Sequence, residues 1–255
     1  MRFKKGQTVY YGDTSEDIVE TTQQDFRLPA DYRWQTNALT TILRHLFQFM
    51  IQLFARFYCR WILHIHYVNR QLVKKASEGC YLYANHTQQT GDVFSPFCVA
   101  NHPAILISPA NLGIPVVGKL LPLGGGLPIS SSLHQLKTFN DAVYQRLDAG
   151  DTVVIYPESH LWPYATDIRP LDHTSFHYPA NHPAPVYTMT TTYQKSRWHR
   201  HPNVTVYLDG PFQPDISLPI KSRQKKLHEQ VTAQLQKRSR NSTYQYVIYK
   251  RRPTA

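Results

Sequence analysis

The sequence predicts an α/β fold, a three-layer sandwich of helices around a mixed, mostly parallel sheet. Two observations predict it. Short apolar and β-branched runs alternate with helical patterns between residues 79 and 209. Two of these runs, 80–84 and 153–156, pass directly into polar loops that contain His86 and Glu158. The ends of parallel strands are where α/β folds place ligands.

The chain is long enough for one domain with a substantial core. We expect an N-terminal arm over residues 1–36, an amphipathic membrane-associated helix over 37–70, and the main domain over 71–255. The net charge is +11, and most of the excess lies after residue 220, where Glu229 is the only acid. This basic segment is either a solvated helix face with a frayed tail or a surface for lipid headgroups or nucleic acid.

The cysteine and histidine spacings do not predict a disulfide framework or a metal site. Cys59, Cys80 and Cys98 are widely separated, which favours a reducing compartment. The pairs His64/His66 and His199/His201 have no third ligand at a suitable spacing, so most histidines are expected at the surface. The first six residues precede no apolar core, and we expect no signal peptide there.

A long helix is expected from a cap at Thr36 or Asn37 to about Asn69. Polar residues recur at every fourth position and form one stripe. They are Arg44, Gln48, Gln52, Arg56, Arg60 and His64. The uncharged run 45–55 is too short to span a bilayer. The helix is either a core helix, alone or in a hairpin, or an interfacial helix whose arginines reach phosphates. The large apolar circumference favours the interface.

A strand over 79–84 leads into a loop with His86, and Asp92 follows. A histidine beside a carboxylate is suited to general-base chemistry near neutral pH. Residues six apart cannot meet on one helix, so His86 is expected in the loop, with a positive φ at Gly91. The alternative is that Asp92 only caps the next helix.

Three glycines (124–126) and three serines (130–132) precede a helix expected over 133–147. They could form an anion nest at the helix N-terminus, or a tight turn and an N-cap. They match no nucleotide-binding loop. Further elements are expected as helices at 93–100 and 219–238 and as strands at 104–108, 204–208 and 244–249.

Four segments, in order, resemble the motifs of the glycerophospholipid acyltransferases, the group of 1-acylglycerol-3-phosphate acyltransferases. The first is Asn85-His86 followed by Asp92, with five intervening residues where the family has four. The second is the glycine-rich segment, in which Ser130 and Ser131 stand where the family usually has Asp and Arg.

The third motif is Tyr156-Pro157-Glu158, with Tyr in place of Phe, Ser159 in place of Gly and no Arg. The segments 176–178 and 184–189 resemble the fourth, a proline-containing strand. The N-terminal helix is similar to the family's membrane-facing helical hairpin.

The resemblance implies an O-acyltransferase at the cytoplasmic face of the cell membrane, which uses acyl-CoA or acyl carrier protein and a lysophospholipid acceptor. His86 would be the base, Asp92 its partner, and Glu158 a contact for acceptor hydroxyls. Lys119 and Arg169 would replace the missing arginines at the acceptor phosphate. The other expected substrate-binding residues are Asn85, Gly125, Gly126, Ser130, Ser131, Pro157, Ser159 and His160.

No metal or redox cofactor is expected, because the acyl thioester is itself a substrate. The partners expected are an anionic membrane, the lysophospholipid and the acyl carrier, and no nucleic acid. Two rival hypotheses remain. One is an inactive lipid-binding protein of the same fold, favoured by the lost arginines. The other is a nucleic-acid-binding protein that uses the basic tail, which no motif supports. No Gly-x-Ser-x-Gly elbow of a serine hydrolase is present.

Overall fold

A computed structural model of the protein describes residues 3–19, 26–34, 38–76, 78–198 and 200–253. The expected helix caps Thr36 and Asn37, and His199, lie outside the described residues. The helices are α1 (Ala38–Phe57), α2 (Gln71–Lys74), α3 (Gly91–Val99), α4 (Val117–Leu120), α5 (Leu133–Asp148), α6 (His177–Asn181) and α7 (Ile220–Ser239). The strands are β1 (Gln7–Tyr11), β2 (Ile65–Val68), β3 (Cys80–Ala84), β4 (Pro103–Ile107), β5 (Gly126–Pro128), β6 (Thr152–Ile155), β7 (Val186–Gln194), β8 (Asn203–Phe212) and β9 (Val247–Arg251).

Seven strands form the main sheet in the order β2-β8-β7-β3-β6-β4-β5. Only β7 and β8 pair antiparallel, which confirms the mixed, mostly parallel sheet. The segment 244–249 was expected to contain a strand, and β9 begins there but pairs with β1 in a separate two-stranded sheet. The N-terminal arm expected over residues 1–36 therefore contains a strand.

Alternate residues of β3 point to opposite faces of the sheet and enter two cores. Tyr81 and Tyr83 pack with residues of α5, α6 and α7. Leu82 and Ala84 pack with residues of α1, α2 and α3. This is the three-layer sandwich that the sequence predicts. Because α1 and α7 lie on opposite faces, the long apolar helix and the basic C-terminal helix cannot face the same flat surface.

The long N-terminal helix is shorter than expected. α1 ends at Phe57, a π-helical turn continues it over Tyr58–Ile62, and the chain reverses at His64, whose φ is 50°. The next residues form β2, an edge strand of the main sheet, so the prediction of helix as far as Asn69 is wrong. None of the helices in the described residues combines the length and the apolar character needed to cross a membrane.

The first part of the polar stripe, Arg44 and Gln48, faces the protein, whereas Arg56 and Arg60 are exposed, and the apolar face of α1 points outward. Arg44 is 2% exposed and donates to Asp151 at 2.6 Å, and Gln48 is fully buried and donates to the carbonyls of Pro103 and Gly124 at 2.8 and 3.1 Å. Arg44 therefore cannot reach lipid phosphates, as the interfacial interpretation expected. Eleven large apolar side chains of α1 and the π-helical turn are exposed instead. They are Leu39, Ile42, Leu43, Leu46, Phe49, Met50, Leu53, Phe54, Phe57, Trp61 and Ile62.

The exposed apolar surface continues from α1 onto the segment before β5. Gly124 lies against the middle of α1, where a Cβ atom on it would be 3.4 Å from Ile51 Cδ1. In the preceding residues Val116, Val117 and Leu120 are exposed. Such a large contiguous apolar patch marks an interaction site on a folded protein.

Candidate active site

The site begins where β3 ends. The Asn85 side chain pairs with the backbone of Thr191 on β7, accepting from its N–H at 2.8 Å and donating to its carbonyl at 3.1 Å. This side chain continues the ladder between the two strands by one step and directs the following residues into a loop. Asn85 is 2% exposed and its amide is occupied by these two hydrogen bonds, and its expected role in substrate binding stays a prediction.

His86 and Asp92 are in direct contact, as the sequence predicts. His86 Nδ1 lies 2.8 Å from Asp92 Oδ2. Because an ionised carboxylate only accepts hydrogen bonds, Nδ1 carries the proton and Nε2 keeps its lone pair. Nε2 has no hydrogen-bond partner among the described residues, and the His86 side chain is 24% exposed against 2% for Asp92. The imidazole therefore presents a basic nitrogen outward and a buried carboxylate behind it.

Asp92 also organises the loop that carries His86. Its Oδ2 atom accepts the backbone N–H groups of Thr87 and Gln88, both at 2.8 Å. Thr90 is the N-cap of α3 and Asp92 lies one residue inside the helix, so Asp92 is not the helix cap that the alternative interpretation required.

The extra residue between His86 and Asp92 is accommodated without a positive φ at Gly91, contrary to expectation. The reason for glycine is steric. A Cβ atom there would lie 2.2 Å from Gln88 Oε1 and 2.4 Å from its Cδ. The Gln88 side chain therefore folds over the start of α3, where only glycine leaves it room.

Glu158 lies behind the histidine loop and does not face a substrate. Its Oε2 accepts from the His86 N–H at 2.8 Å and from Arg169 Nη2 at 2.9 Å, and Oε1 accepts from the Arg169 N–H at 2.9 Å. The Glu158 side chain is 0% exposed. Both carboxylate oxygens are held inside the protein, and the contact of Glu158 with acceptor hydroxyls stays a prediction. Glu158 joins the His86 loop to the loop of Arg169.

Arg169 was expected to bind the acceptor phosphate and is instead buried. Its side chain is 6% exposed and is ion-paired with Glu158. Nη2 also donates to the carbonyls of His160 and His86, and the guanidinium lies over the Trp162 ring at 4.9 Å. With its charge balanced and its face covered, Arg169 is not available to a phosphate.

The remaining residues of the third motif, Pro157, Ser159 and His160, differ in their exposure and in their partners. Pro157 is buried and its carbonyl accepts the Asp172 N–H at 2.8 Å. Ser159 is exposed, with a φ of 63°. His160 Nδ1 lies 2.6 Å from Asp17 of the N-terminal arm. Of these, only Ser159 is exposed on the loop that borders His86.

The glycine-rich segment does not form the expected anion nest. Gly125 and Gly126 lie at the start of β5, and the helix α5 begins beyond its other end. Gly125 has a φ of 97°, and a Cβ atom on it would lie 2.3 Å from both Gln48 Nε2 and the Pro103 carbonyl oxygen. These glycines allow α1 and β4 to approach β5 closely. Their close packing explains the glycines without a ligand, and their expected role in substrate binding stays a prediction.

Ser130, Ser131 and Ser132 follow the carboxyl end of β5, and each side chain is hydrogen-bonded within the protein. Ser132 caps α5, accepting the Gln135 N–H, and Ser130 Oγ donates to the Ser132 carbonyl. Ser131 Oγ accepts the Leu28 N–H from the N-terminal arm. The N-terminal arm therefore packs against the segment that precedes α5.

Lys119 is exposed on α4, just before β5. β5 is three strands from β3 in the sheet, a lateral separation of roughly 14 Å. No described contact joins Lys119 to the His86 loop. The structure thus brings together His86, Asp92, Glu158 and Arg169 and leaves Lys119 outside.

Two tyrosines complete the site and were not predicted. Tyr156 donates to the Asp92 carbonyl at 2.6 Å, and its ring lies 4.7 Å from the His86 ring. Burial, and then the Asp92 charge, raise the pKa of Tyr156 well above its usual range. Tyr193 is 2.8 Å from the Thr87 hydroxyl, and burial raises its pKa too. Both phenols stay neutral and hold the loop. The departure from Phe at Tyr156 was the available sequence signal.

An apolar surface reaches the site from the end of α1. Phe54 and Tyr58 pack on Phe94 of α3, with ring centroids 5.3 and 5.4 Å apart. The Tyr58 hydroxyl lies 3.4 Å from the Thr90 hydroxyl, two residues from Asp92. The exposed face of α1 therefore ends beside the loop that carries the histidine. The described part of the chain contains no group of three His, Cys, Asp or Glu side chains that could hold a metal ion.

The comparisons with known proteins identify the fold and nothing finer. No protein-family model matches the sequence, and no curated protein sequence matches it. The structure is similar to the crystal structure of the 1-acyl-sn-glycerophosphate (LPA) acyltransferase, PlsC, from Thermotoga maritima. The TM-score is 0.57 at 13% sequence identity, over 76% of this chain and 81% of that chain. The protein thus has the fold of this glycerophospholipid acyltransferase.

Proposed function

We propose that the protein is a peripheral membrane O-acyltransferase of phospholipid biosynthesis. It would move an acyl chain from acyl-CoA or acyl carrier protein to a lysophospholipid such as 1-acylglycerol-3-phosphate, at the cytoplasmic face of the cell membrane. The observation that carries the proposal is the 2.8 Å contact between His86 Nδ1 and Asp92 Oδ2, which leaves Nε2 free. The shared fold with an LPA acyltransferase supports the same class of reaction.

In this reaction His86 is the general base. Nε2 takes the proton of the acceptor hydroxyl while the hydroxyl oxygen attacks the thioester carbonyl. Asp92 stabilises the imidazolium that forms and keeps its Nδ1–H oriented. When the tetrahedral intermediate collapses, the carbon–sulfur bond breaks and the imidazolium returns the proton to the leaving thiolate. The products are an ester and a free thiol, and the enzyme is unchanged.

Glu158 and Arg169 act in this proposal as positioning residues. Glu158 Oε2 accepts the backbone N–H of His86, and Arg169 Nη2 donates to the same carboxylate oxygen. Because both side chains are buried, the His86 backbone is fixed relative to Asp92. A rigid supporting shell of this kind keeps a catalytic geometry within tolerance.

The membrane would be met by the exposed face of α1. Large apolar side chains cover that face and the adjoining segment before β5, and burying each one contributes roughly 1.5–3 kcal/mol. Arg56 and Arg60 are exposed on the same side and form no ion pair with any described carboxylate. They would supply the electrostatic attraction expected earlier from the C-terminal segment, whose helix α7 lies on the other face of the sheet.

Because Arg169 is ion-paired with Glu158, acceptors with and without a terminal phosphate are both tested. The assay therefore uses a labelled acyl thioester, on CoA and on acyl carrier protein, with lysolipids that carry or lack a terminal phosphate. We expect diacyl product from at least one acceptor. His86→Ala should reduce its formation about 10²–10⁴-fold, the usual contribution of a general base.

The control is His134→Ala, which removes an exposed histidine from α5 on the other face of the sheet. This variant should keep full activity. Near-normal turnover by folded His86→Ala would exclude His86 as the base. A second candidate function, an inactive lipid-binding protein, is favoured by the pairing of Arg169 with Glu158. Vesicle binding without acyl transfer to any acceptor would support it.

A further inference from the structure

A cavity lies at the β7–β8 hairpin, outside the candidate active site. It has a volume of about 870 Å³ and lies between the N-terminal arm, the hairpin tip and the segment before β9. This volume is within the range of roughly 300–1,000 Å³ that small-molecule sites occupy. Its described lining residues are Phe3, Lys4, Lys5, Lys195, Ser196, Arg197, Trp198, Arg200, His201, Tyr244 and Tyr246.

The cavity concentrates positive charge without compensation. Its five permanent cations are Lys4, Lys5, Lys195, Arg197 and Arg200, and none of its described lining residues is a carboxylate. None of the five forms an ion pair with a described acidic side chain. A cleft lined by one sign of charge attracts and concentrates ligands of the opposite sign. The mutual repulsion of these cations would be relieved by an anion that carries more than one charge.

The walls of the cavity are aromatic. Tyr244 and Tyr246 form one side, and Trp198, which is 88% exposed, lies at the hairpin tip. Arginine and lysine side chains bind phosphate oxygens, while aromatic rings pack on the planar or apolar part of the same ligand. The combination suits a phosphate-bearing ligand with an organic part better than a simple inorganic ion.

The cavity is connected to the His86 loop through tilted contacts between tyrosine rings. Tyr246 lies 4.6 Å from Tyr164, and Tyr164 lies 5.5 Å from Tyr193, measured between ring centroids. The Tyr193 hydroxyl is 2.8 Å from that of Thr87. Because β7 runs parallel to β3, its hairpin lies at the same edge of the sheet as His86. The cavity is therefore a neighbour of the active site that shares no residue with it.

We propose that this cavity binds a phosphate ester or anhydride that carries at least two negative charges. Two sources share that chemistry: a soluble organic phosphate and the phosphomonoester headgroup of a membrane lipid. The proposal rests on the cavity alone and does not depend on the proposed acyl transfer. His86→Ala should leave this binding unchanged, so failure of one proposal leaves the other testable.

The test compares the full-length protein with Lys195→Gln/Arg197→Gln, which removes two exposed hairpin charges. Lys221→Gln/Lys225→Gln on α7 is the charge-matched control, on the opposite face of the sheet from α1. The soluble arm measures pyrophosphate and ADP by calorimetry. The lipid arm measures the change in tryptophan fluorescence in a Trp61→Phe background, where Trp198 is exposed and Trp34 and Trp162 are buried. The vesicles are phosphatidylcholine that contains or lacks phosphatidic acid.

We expect the hairpin variant to bind about 30-fold more weakly than the parent, because each of the two cations contributes about 1 kcal/mol near a phosphate surface. The α7 control should bind as tightly as the parent. A loss in the soluble arm identifies a soluble ligand, and a loss confined to phosphatidic acid vesicles identifies a lipid headgroup. Both binding modes should weaken with salt. Equal binding by parent and hairpin variant in both arms, with unchanged thermal unfolding, would overturn the proposal. So would an equal loss in the α7 control.

Discussion

The substitution Asp92→Asn tests whether the carboxylate acts through its charge. The new amide can take two orientations, and the structure favours one. Oδ2 accepts from Thr87 N–H, Gln88 N–H and His86 Nδ1. An amide nitrogen in that position would face two backbone donors. The Asn oxygen should therefore stay there, so that Nδ1–H keeps its acceptor and the His86 tautomer is preserved.

The expected loss then comes from the imidazolium, which no longer has a negative partner. Two unit charges about 4 Å apart interact with roughly 4 kcal/mol at an effective dielectric constant of 20. At 1.36 kcal/mol per factor of ten, this corresponds to about 10³-fold in kcat. If the amide did flip, His86 would adopt the wrong tautomer, and the loss would approach the ~10⁴ seen in serine proteases.

The effect on stability should be much smaller. Two backbone N–H groups change from a charged to a neutral acceptor, at a cost of about 1 kcal/mol each. The variant should therefore stay folded, and kcat can be measured with a labelled acyl thioester beside a thermal melt. Asp215→Asn is the matched control, because Asp215 also accepts a backbone N–H, from Ser217, in a loop before α7.

Wild-type kcat in folded Asp92→Asn would show that Asp92 only holds the loop, and that His86 needs no negative partner. An equal loss in Asp215→Asn would attribute the effect to general loosening of the fold. A loss of about 10³-fold in the first variant alone would support charge stabilisation by Asp92.

Three further predictions follow from the same structure. Glu158→Gln leaves a guanidinium buried without its counter-charge and should cost about 3–5 kcal/mol in urea unfolding; unchanged stability with lost activity would instead place Glu158 in the substrate site. His45 and His102 stack at 3.7 Å, and burial lowers the pKa of each below 6.5. Because the folded protein disfavours their protonated forms, the melting temperature should fall as the pH drops below 6.5. The variant His45→Gln/His102→Gln should show a weaker dependence of the melting temperature on pH, and an unchanged dependence in this variant would contradict the lowered pKa of the two histidines. Leu46→Ser/Leu53→Ser on the exposed face of α1 should reduce vesicle binding at least tenfold with an unchanged melting temperature; full vesicle binding would show that the membrane contacts another surface.

The alternation of strands and helices between residues 79 and 209 and the histidine–aspartate contact could be predicted because they depend on local sequence. A short apolar run that ends in a polar loop defines β3 and delivers His86 to a strand end. The requirement that a histidine and an aspartate six residues apart meet places the histidine in a loop. Neither inference needs a distant residue, and the structure agrees with both.

The roles of Glu158, Arg169 and Gly125 could not be read from the sequence because each depends on a distant partner. Glu158 at a strand end could face solvent or the interior, and only the position of Arg169, eleven residues later, decides which. Gly125 resembles a phosphate loop until Gln48, from α1, is found against it. Motif resemblance assigned to the substrate several side chains that have partners inside the fold.

The orientation of α1 also could not be predicted from the sequence, and it bears on the proposed function. Amphipathic spacing predicts two faces on the helix but does not say which face packs on the domain. The orientation of α1 depends on Asp151, which lies between α5 and β6. Its carboxylate pairs with Arg44 at 2.6 Å and with Arg146 at 3.3 Å. A buried aspartate without these partners would destabilise the fold, so Arg44 and its side of α1 are held inward. The apolar face of α1 is then left exposed, and it ends beside the loop that carries His86.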